Sequence, residues 1–285
     1  MKLPDWIWID GAYRRGDEPV LTAFDRGYSL GDGLYDTALG VDGAILHFDL
    51  HWERFAASAE ALRMPLPFDA DTMRGVLTEL MQRNGLTAGR ARLKMILTRG
   101  ASLDAAWNLD CARATLFAGA WPTAPARIEP LRAGIIEARR DARDPLWQHK
   151  TINLQSRAFA RADLIARGFD DGLILNTDGN VCEGTTSNVF ALIGGVVVTP
   201  PVSDGLLPGT VRALLMRHAK ELDGVKVAER PVTLDELLRA DAVWFANAIS
   251  PVQVIACLGE TELTVSESSQ RQLARIRAAL DTESH

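Results

Sequence analysis

Asp25-Arg26-Gly27-Tyr28-Ser29-Leu30-Gly31-Asp32-Gly33-Leu34-Tyr35-Asp36-Thr37 puts three glycines within seven residues. So dense a run invites comparison with a dinucleotide-binding loop, in which the glycines follow a strand and open a helix. Here no strand-to-helix unit follows, and the next element is itself a strand. The stretch therefore predicts a bulged loop leading into a hairpin, Leu34 to Leu39 returning as Ala44 to Phe48 around Asp42-Gly43.

Working outward, an earlier hairpin is expected from Trp6–Ile9, the turn Asp10-Gly11 and Tyr13-Arg14. Asp49 is expected to cap a helix carrying Leu50, Arg54, Phe55, Ala57, Ser58, Ala61 and Leu62. A second helix should run from about Asp71 to Arg83 and stop at Asn84-Gly85. Strands Ala91–Leu97 and Ala114–Trp121 close this part, an α+β layout. Trp121-Pro122-Thr123-Ala124-Pro125-Ala126 breaks every period. The expected division is a small α+β domain over 1–121, a linker over 122–127 and a larger domain over 128–285. The larger domain should hold a strand Gly134–Ala138, a helix Asn153–Arg167 ended by Gly168, and hairpins turning at Asp178-Gly179 and Gly194-Gly195. Helices near 209–222, 233–239 and 266–281 and strands near 242–247 and 252–257 complete it.

The 285 residues are 47% hydrophobic and 24% charged, ordinary globular proportions, with a net charge of -6. A mildly acidic chain has no electrostatic footprint for nucleic acid or an anionic membrane surface. Three scattered cysteines give neither a disulfide framework nor a metal spacing. The start has no apolar signal core, so a cytoplasmic protein is expected. His47, His51, His149, His218 and His285 show no metal-motif spacing, which argues against a metal hydrolase. Only five of the 31 basic residues are lysine: Lys2, Lys94, Lys150, Lys220 and Lys226. GC-rich coding explains the bias, yet lysine alone can lose its proton near neutrality and condense with a carbonyl.

Lys150 lies in Gln148-His149-Lys150-Thr151-Ile152-Asn153, between a strand and a helix. It reads either as a solvated loop lysine or as a Schiff-base lysine. His149 reads as a surface or supporting residue rather than a base. Glu183, in Val181-Cys182-Glu183-Gly184-Thr185-Thr186-Ser187-Asn188, stands where a strand ends in small polar residues. Such a carboxylate can pair with a pyridinium nitrogen, although a hydroxyl-rich turn would account for Thr185 to Asn188 alone. Pro208-Gly209-Thr210-Val211-Arg212 opens a helix whose free N–H groups suit a phosphate.

The order and spacing of these segments, with His51-Trp52-Glu53-Arg54-Phe55, resemble the class IV aminotransferases from about residue 6 to 260. That family includes branched-chain and D-amino-acid aminotransferases, (R)-amine transaminases and 4-amino-4-deoxychorismate lyase. The resemblance implies PLP fold type IV, pyridoxal 5′-phosphate (PLP) as cofactor, and a homodimer. It implies that Lys150 carries PLP and shuttles the proton, and that Glu183 partners the ring nitrogen. Arg54, Thr210, Val211, Asn247 and Ala248 would take the phosphate; position 211 is valine where the family often has a hydroxyl. Tyr35, Thr37, Lys94 and Trp107 would line the substrate pocket.

Within the family the signs divide. Thr37 two residues after Tyr35, Lys94 in Leu93-Lys94-Met95, and Ala246-Asn247-Ala248-Ile249-Ser250-Pro251 without a preceding glutamate lean toward the lyase. Arg99-Gly100-Ala101-Ser102-Leu103-Asp104-Ala105-Ala106-Trp107 has no basic residue past Arg99, where the lyase places a carboxylate-binding arginine. Leu154 also replaces a tyrosine usual in branched-chain enzymes. The expectation is an aminotransferase moving an amino group between an amino acid or amine and a 2-oxo acid. The lyase, forming 4-aminobenzoate and pyruvate, is the alternative, and a non-catalytic binding protein on the same fold stands outside both.

Overall fold

The computed structural model describes residues 3–103, 109, 113–218 and 226–282. They form two compact units, one from residues 3–125 with 150–153, the other from 126–149 with 154–282.

In the first unit the strands are β1 (Trp6–Ile9), β2 (Ala12–Arg15), β3 (Gly33–Val41), β4 (Ala44–Ile45), β5 (Arg90–Thr98) and β6 (Thr115–Pro122), with helices α1 (Arg26–Leu30), α2 (Phe48–Ala61) and α3 (Ala70–Arg83). The sheet is antiparallel, in the order β2-β1-β6-β5-β3-β4. Because side chains alternate along a strand, Leu34, Ala38, Leu93, Met95, Leu97, Ala118 and Ala120 share one face. They form a core with Phe48, Phe55, Met73, Leu77, Leu80 and Met81 of α2 and α3. Truncating Phe55 or Leu80 to alanine would cost about 3–5 kcal/mol.

Three local expectations are corrected. The run 25–31 is a short helix rather than a bulged loop: Asp25 Oδ1 accepts from the N–H groups of Gly27 and Tyr28, and Gly31 ends it at φ 69°. Only Ala44–Ile45 pair as the return strand, because α2 begins at Phe48, whose ring is buried and stacks on Trp52. Asp49 is not its cap; His47 holds that place at φ 51°, and Asp49 sits in the first turn, where a carboxylate favours the helix dipole.

The second unit holds β7 (Leu131–Ile135), α4 (Gln155–Ala166), β8 (Asp171–Leu175), β9 (Val181–Gly184), β10 (Asn188–Ile193), β11 (Val196–Thr199), α5 (Thr210–His218), β12 (Lys226–Glu229), α6 (Leu234–Leu238), β13 (Ala242–Ala246), β14 (Gln253–Leu258), β15 (Thr261–Glu262) and α7 (Glu267–Thr282). The strand expected at Gly134–Ala138 starts earlier, at Leu131, because its parallel partner β14 engages it there. The sheet runs β12-β11-β10-β13-β14-β7-β8-β9, and β9 returns to pair with β10. That last pairing closes a ring of strands filled by Leu173, Leu175, Val181, Val189, Val243, Phe245 and Ile255. It also sets Glu183 directly opposite Asn188.

Candidate active site

Chemistry-bearing residues gather in each unit. In the first, Lys150 lies in the irregular connection that precedes α4. It follows a 3-10 turn over Pro145–Gln148, and α4 begins only at Gln155. The segment from Lys150 instead lies along β3: Tyr35 N–H donates to the Lys150 carbonyl at 2.8 Å, Ile152 N–H to the Gly33 carbonyl at 3.0 Å, and Leu34 bridges Thr151. This backbone pairing sets the point from which the side chain leaves the chain, and Nζ stands 4.6 Å from the centroid of the Tyr35 ring.

Tyr35 and Thr37 occupy the sheet face opposite the helices. Lys94 faces Thr37 in register, and its Nζ lies 4.8 Å from the Tyr35 centroid. Burial, with Arg92 nearby, lowers the Lys94 ammonium below its usual range. Arg92 shares this face one pair along, opposite Leu39, and its buried Nε has no hydrogen-bond partner among the described residues. Trp107 and Asp104 lie outside the described residues.

Asp36 points the other way, into the helix-covered core. Its carboxylate accepts from His51 Nδ1 at 2.7 Å, Thr37 N–H at 2.7 Å, and Arg54 Nε and Nη2 at 3.0 and 2.8 Å. Burial works to raise the Asp36 carboxyl, but Arg54 and His51 overcome it and hold it well below the carboxylate range. Burial keeps the His51 imidazole below its ordinary value despite the Asp36 charge. Arg54 is therefore built into a buried network that residue spacing alone did not show.

In the second unit Glu183 is 2% exposed. Its Oε1 accepts from Arg140 Nη1 and Arg157 Nη2, both at 2.8 Å, and Oε2 from Leu207 N–H at 3.1 Å. Asn188 Nδ2 donates to the Leu207 carbonyl at 2.8 Å, so the chain entering α5 is tied to both β9 and β10. Gly209 meets Asn188 so closely that an added Cβ would lie 1.9 Å from Asn188 Oδ1. A side chain at 209 would push Asn188 off its bond to the Leu207 carbonyl, and α5 begins just after it with Thr210 and Val211. Asn247 caps the turn after β13: its Oδ1 accepts from Ile249 and Ser250 N–H, and its Nδ2 donates to Ser187 Oγ at 2.9 Å. Ala248 sits within that turn, and Ala246 pairs with Asn188. Glu183, the Thr186–Asn188 stretch, Asn247, Ala248 and the start of α5 thus converge at one end of the closed sheet.

Asp36, His51, Arg92, Arg140, Arg157, Asn188 and Leu207 escaped the sequence reading. Asp36 carried a signal, a carboxylate alternating with Tyr35 and Thr37 on a strand; the arginines, in so arginine-rich a chain, carried none.

The residues fit PLP: a lysine held beside an aromatic ring, a buried carboxylate with acceptor capacity left, and a helix start in glycine contact with its neighbour, its first N–H groups suited to an anion. Comparison with known proteins agrees. A Methanocaldococcus jannaschii protein bearing a provisional branched-chain-amino-acid aminotransferase name is 29% identical over 86% of this chain and 85% of its own length. The aminodeoxychorismate lyase of Bacillus subtilis is 25% identical over 85% of this chain and 83% of its own. The structure of a Thermoproteus uzoniensis branched-chain aminotransferase superposes with a TM-score of 0.88 at 23% identity, over 98% of this chain and 95% of that one, and shares the fold. The family model described as amino-transferase class IV matches residues 33–257. The chain belongs to the class IV aminotransferases, enzymes of PLP fold type IV that depend on PLP.

Proposed function

We propose that this enzyme transfers an amino group between an amino acid and a 2-oxo acid, with Lys150 holding PLP as a Schiff base and moving the proton at the substrate α-carbon. The observation that carries this reading is the pairing of residues 150–152 with β3, which presents the Lys150 amine beside Tyr35. A general acid–base lysine must start from a fixed point, and backbone pairing supplies one. PLP, when bound, supplies the electron sink.

The remaining roles follow from chemistry. Glu183 offers the ring nitrogen the open acceptor position on Oε2. Arg54, oriented by Asp36, is assigned to the phosphate, as are the N–H groups of Thr210 and Val211 and the Asn247-Ala248 turn. Tyr35, Thr37 and Trp107 line the substrate, and Lys94 with Arg92 anchors its carboxylate. Two cations on one sheet face answer the absence of a second basic residue in the segment Arg99–Trp107. Phe24, Tyr28 and Leu30 are exposed on and just before α1 and support a homodimer. The composition supports a cytoplasmic enzyme.

Borohydride reduction of the PLP-loaded protein followed by peptide mapping tests the core of this reading. The adduct is expected on Lys150, and Lys150→Ala should lower turnover by at least about 10³-fold. An adduct on Lys94, Lys220 or Lys226 overturns it. One observation favours the lyase as second reading: Thr37 and Lys94 stand opposite each other in register. Release of pyruvate and 4-aminobenzoate from aminodeoxychorismate, with no exchange between amino acids and 2-oxo acids, would decide for it.

A further inference from the structure

Arg157 lies near the start of α4, where the helix dipole disfavours a cation. The position is held by specific bonds: Nη2 donates to Glu183 Oε1 at 2.8 Å and Nη1 to the Thr185 carbonyl at 3.0 Å. Arg140 donates to the same Oε1 and to the Gly205 carbonyl, and its guanidinium stacks 4.2 Å from the Trp147 centroid. Arg140, 3% exposed, is built into the interior, whereas the Arg157 side chain is 19% exposed. Two guanidiniums and one carboxylate leave this cluster with a net charge of +1 (two positive, one negative).

We propose that Arg157 is a positioning residue that weakens the hold of the cofactor's ring nitrogen on its proton, acting through Glu183; this rests on the assignment of Glu183 to that nitrogen. A carboxylate has about four acceptor positions. Two on Oε1 go to the arginines and one on Oε2 to Leu207 N–H. The ring nitrogen is left with the last position on Oε2, facing one negative charge backed by two positive ones. Each guanidinium opposes protonation of the ring. Arg140 is committed to Gly205 and Trp147, so Arg157, the more exposed of the two and bonded besides Glu183 only to the Thr185 carbonyl among the described residues, is the member whose charge can be changed with less loss to the interior.

The test uses holoenzyme loaded with PLP labelled with ¹⁵N in the ring and follows the nitrogen chemical shift against pH. Arg157→Gln is expected to raise the protonation midpoint by about one pH unit. Arg157→Lys, which keeps the charge, is expected to stay close to wild type, and Glu183→Gln to lower the midpoint. If the glutamine variant does not fold, Arg157→Met serves with the same expectation. An unmoved midpoint in Arg157→Gln, or a lysine variant matching the glutamine one, overturns the proposal. So does a wild-type ring that stays protonated at every pH, since Arg157 then weakens nothing. If Glu183→Gln leaves the midpoint in place, the assignment of Glu183 itself falls, a different failure from an inert Arg157.

Discussion

Asp36 in the first unit and Glu183 in the second are both buried carboxylates held by cationic donors, yet they differ in what remains open. Asp36 accepts from four donor groups: His51 Nδ1, Thr37 N–H, and Arg54 Nε and Nη2. Among the described residues Glu183 accepts from three. Four donors fill a carboxylate and three do not. The first is a scaffold that orients Arg54. The second keeps one acceptor position in reserve on Oε2, beside the Leu207 N–H. Saturation, rather than burial or charge, separates the two.

The comparison can be broken most forcefully by removing each charge with an isosteric amide. In Asp36→Asn the new NH₂ must face a donor whichever way it turns, because both oxygens are occupied, and Arg54 loses its counter-ion. Denaturant unfolding of the apo protein is expected to show a loss of about 3–5 kcal/mol. Glu183→Gln can place its NH₂ on the Oε2 side, where only Leu207 N–H opposes it, so its stability loss should be clearly smaller. Its effect should appear in turnover, a fall of about 100-fold, on the scale of removing one preorganised electrostatic partner. Equal destabilisation by the two amides, with turnover of Glu183→Gln intact, would mean that saturation distinguishes nothing.

The sequence exposed what is local and hid what is not. Asp10-Gly11 and Asp42-Gly43 announced their turns because both pairs adopt positive φ, a demand met by only a few residue types. Lys150 and Glu183 stood out by residue type within short motifs. The pairing of residues 150–152 with β3 did not, since so short a strand has no period to read and its partner is remote in the chain. α1 was missed because five residues are too few to show helical spacing, although Asp25 and Gly31 mark its two ends. Arg140 and Arg157 converge on Glu183 only through the closure of β9 onto β10 and the placement of α4. Nothing in their own neighbourhoods distinguishes them from the other arginines.

The smallest effect concerns the proton balance of the saturated site. Burial lowers His51 below its free value near 6.5, with Arg54 and Lys150 adding to the shift and Asp36 resisting it. Below about pH 6.5 the unfolded chain therefore binds a proton at this residue that the folded chain refuses, and stability falls as pH drops, by up to about 1.4 kcal/mol per pH unit. Asp36 adds its own loss only at more acidic pH, below about 3.9, because its folded carboxyl is depressed and the stabilisation it gives is present above that value. His51→Asn keeps an amide donor where Nδ1 stands but cannot titrate. Between pH 7.5 and 5.5, wild-type apo protein is expected to lose about 1 kcal/mol more than this variant in denaturant unfolding. If wild type and His51→Asn weaken in parallel, the proton is taken up elsewhere, with His149, also lowered by burial, the next group to substitute.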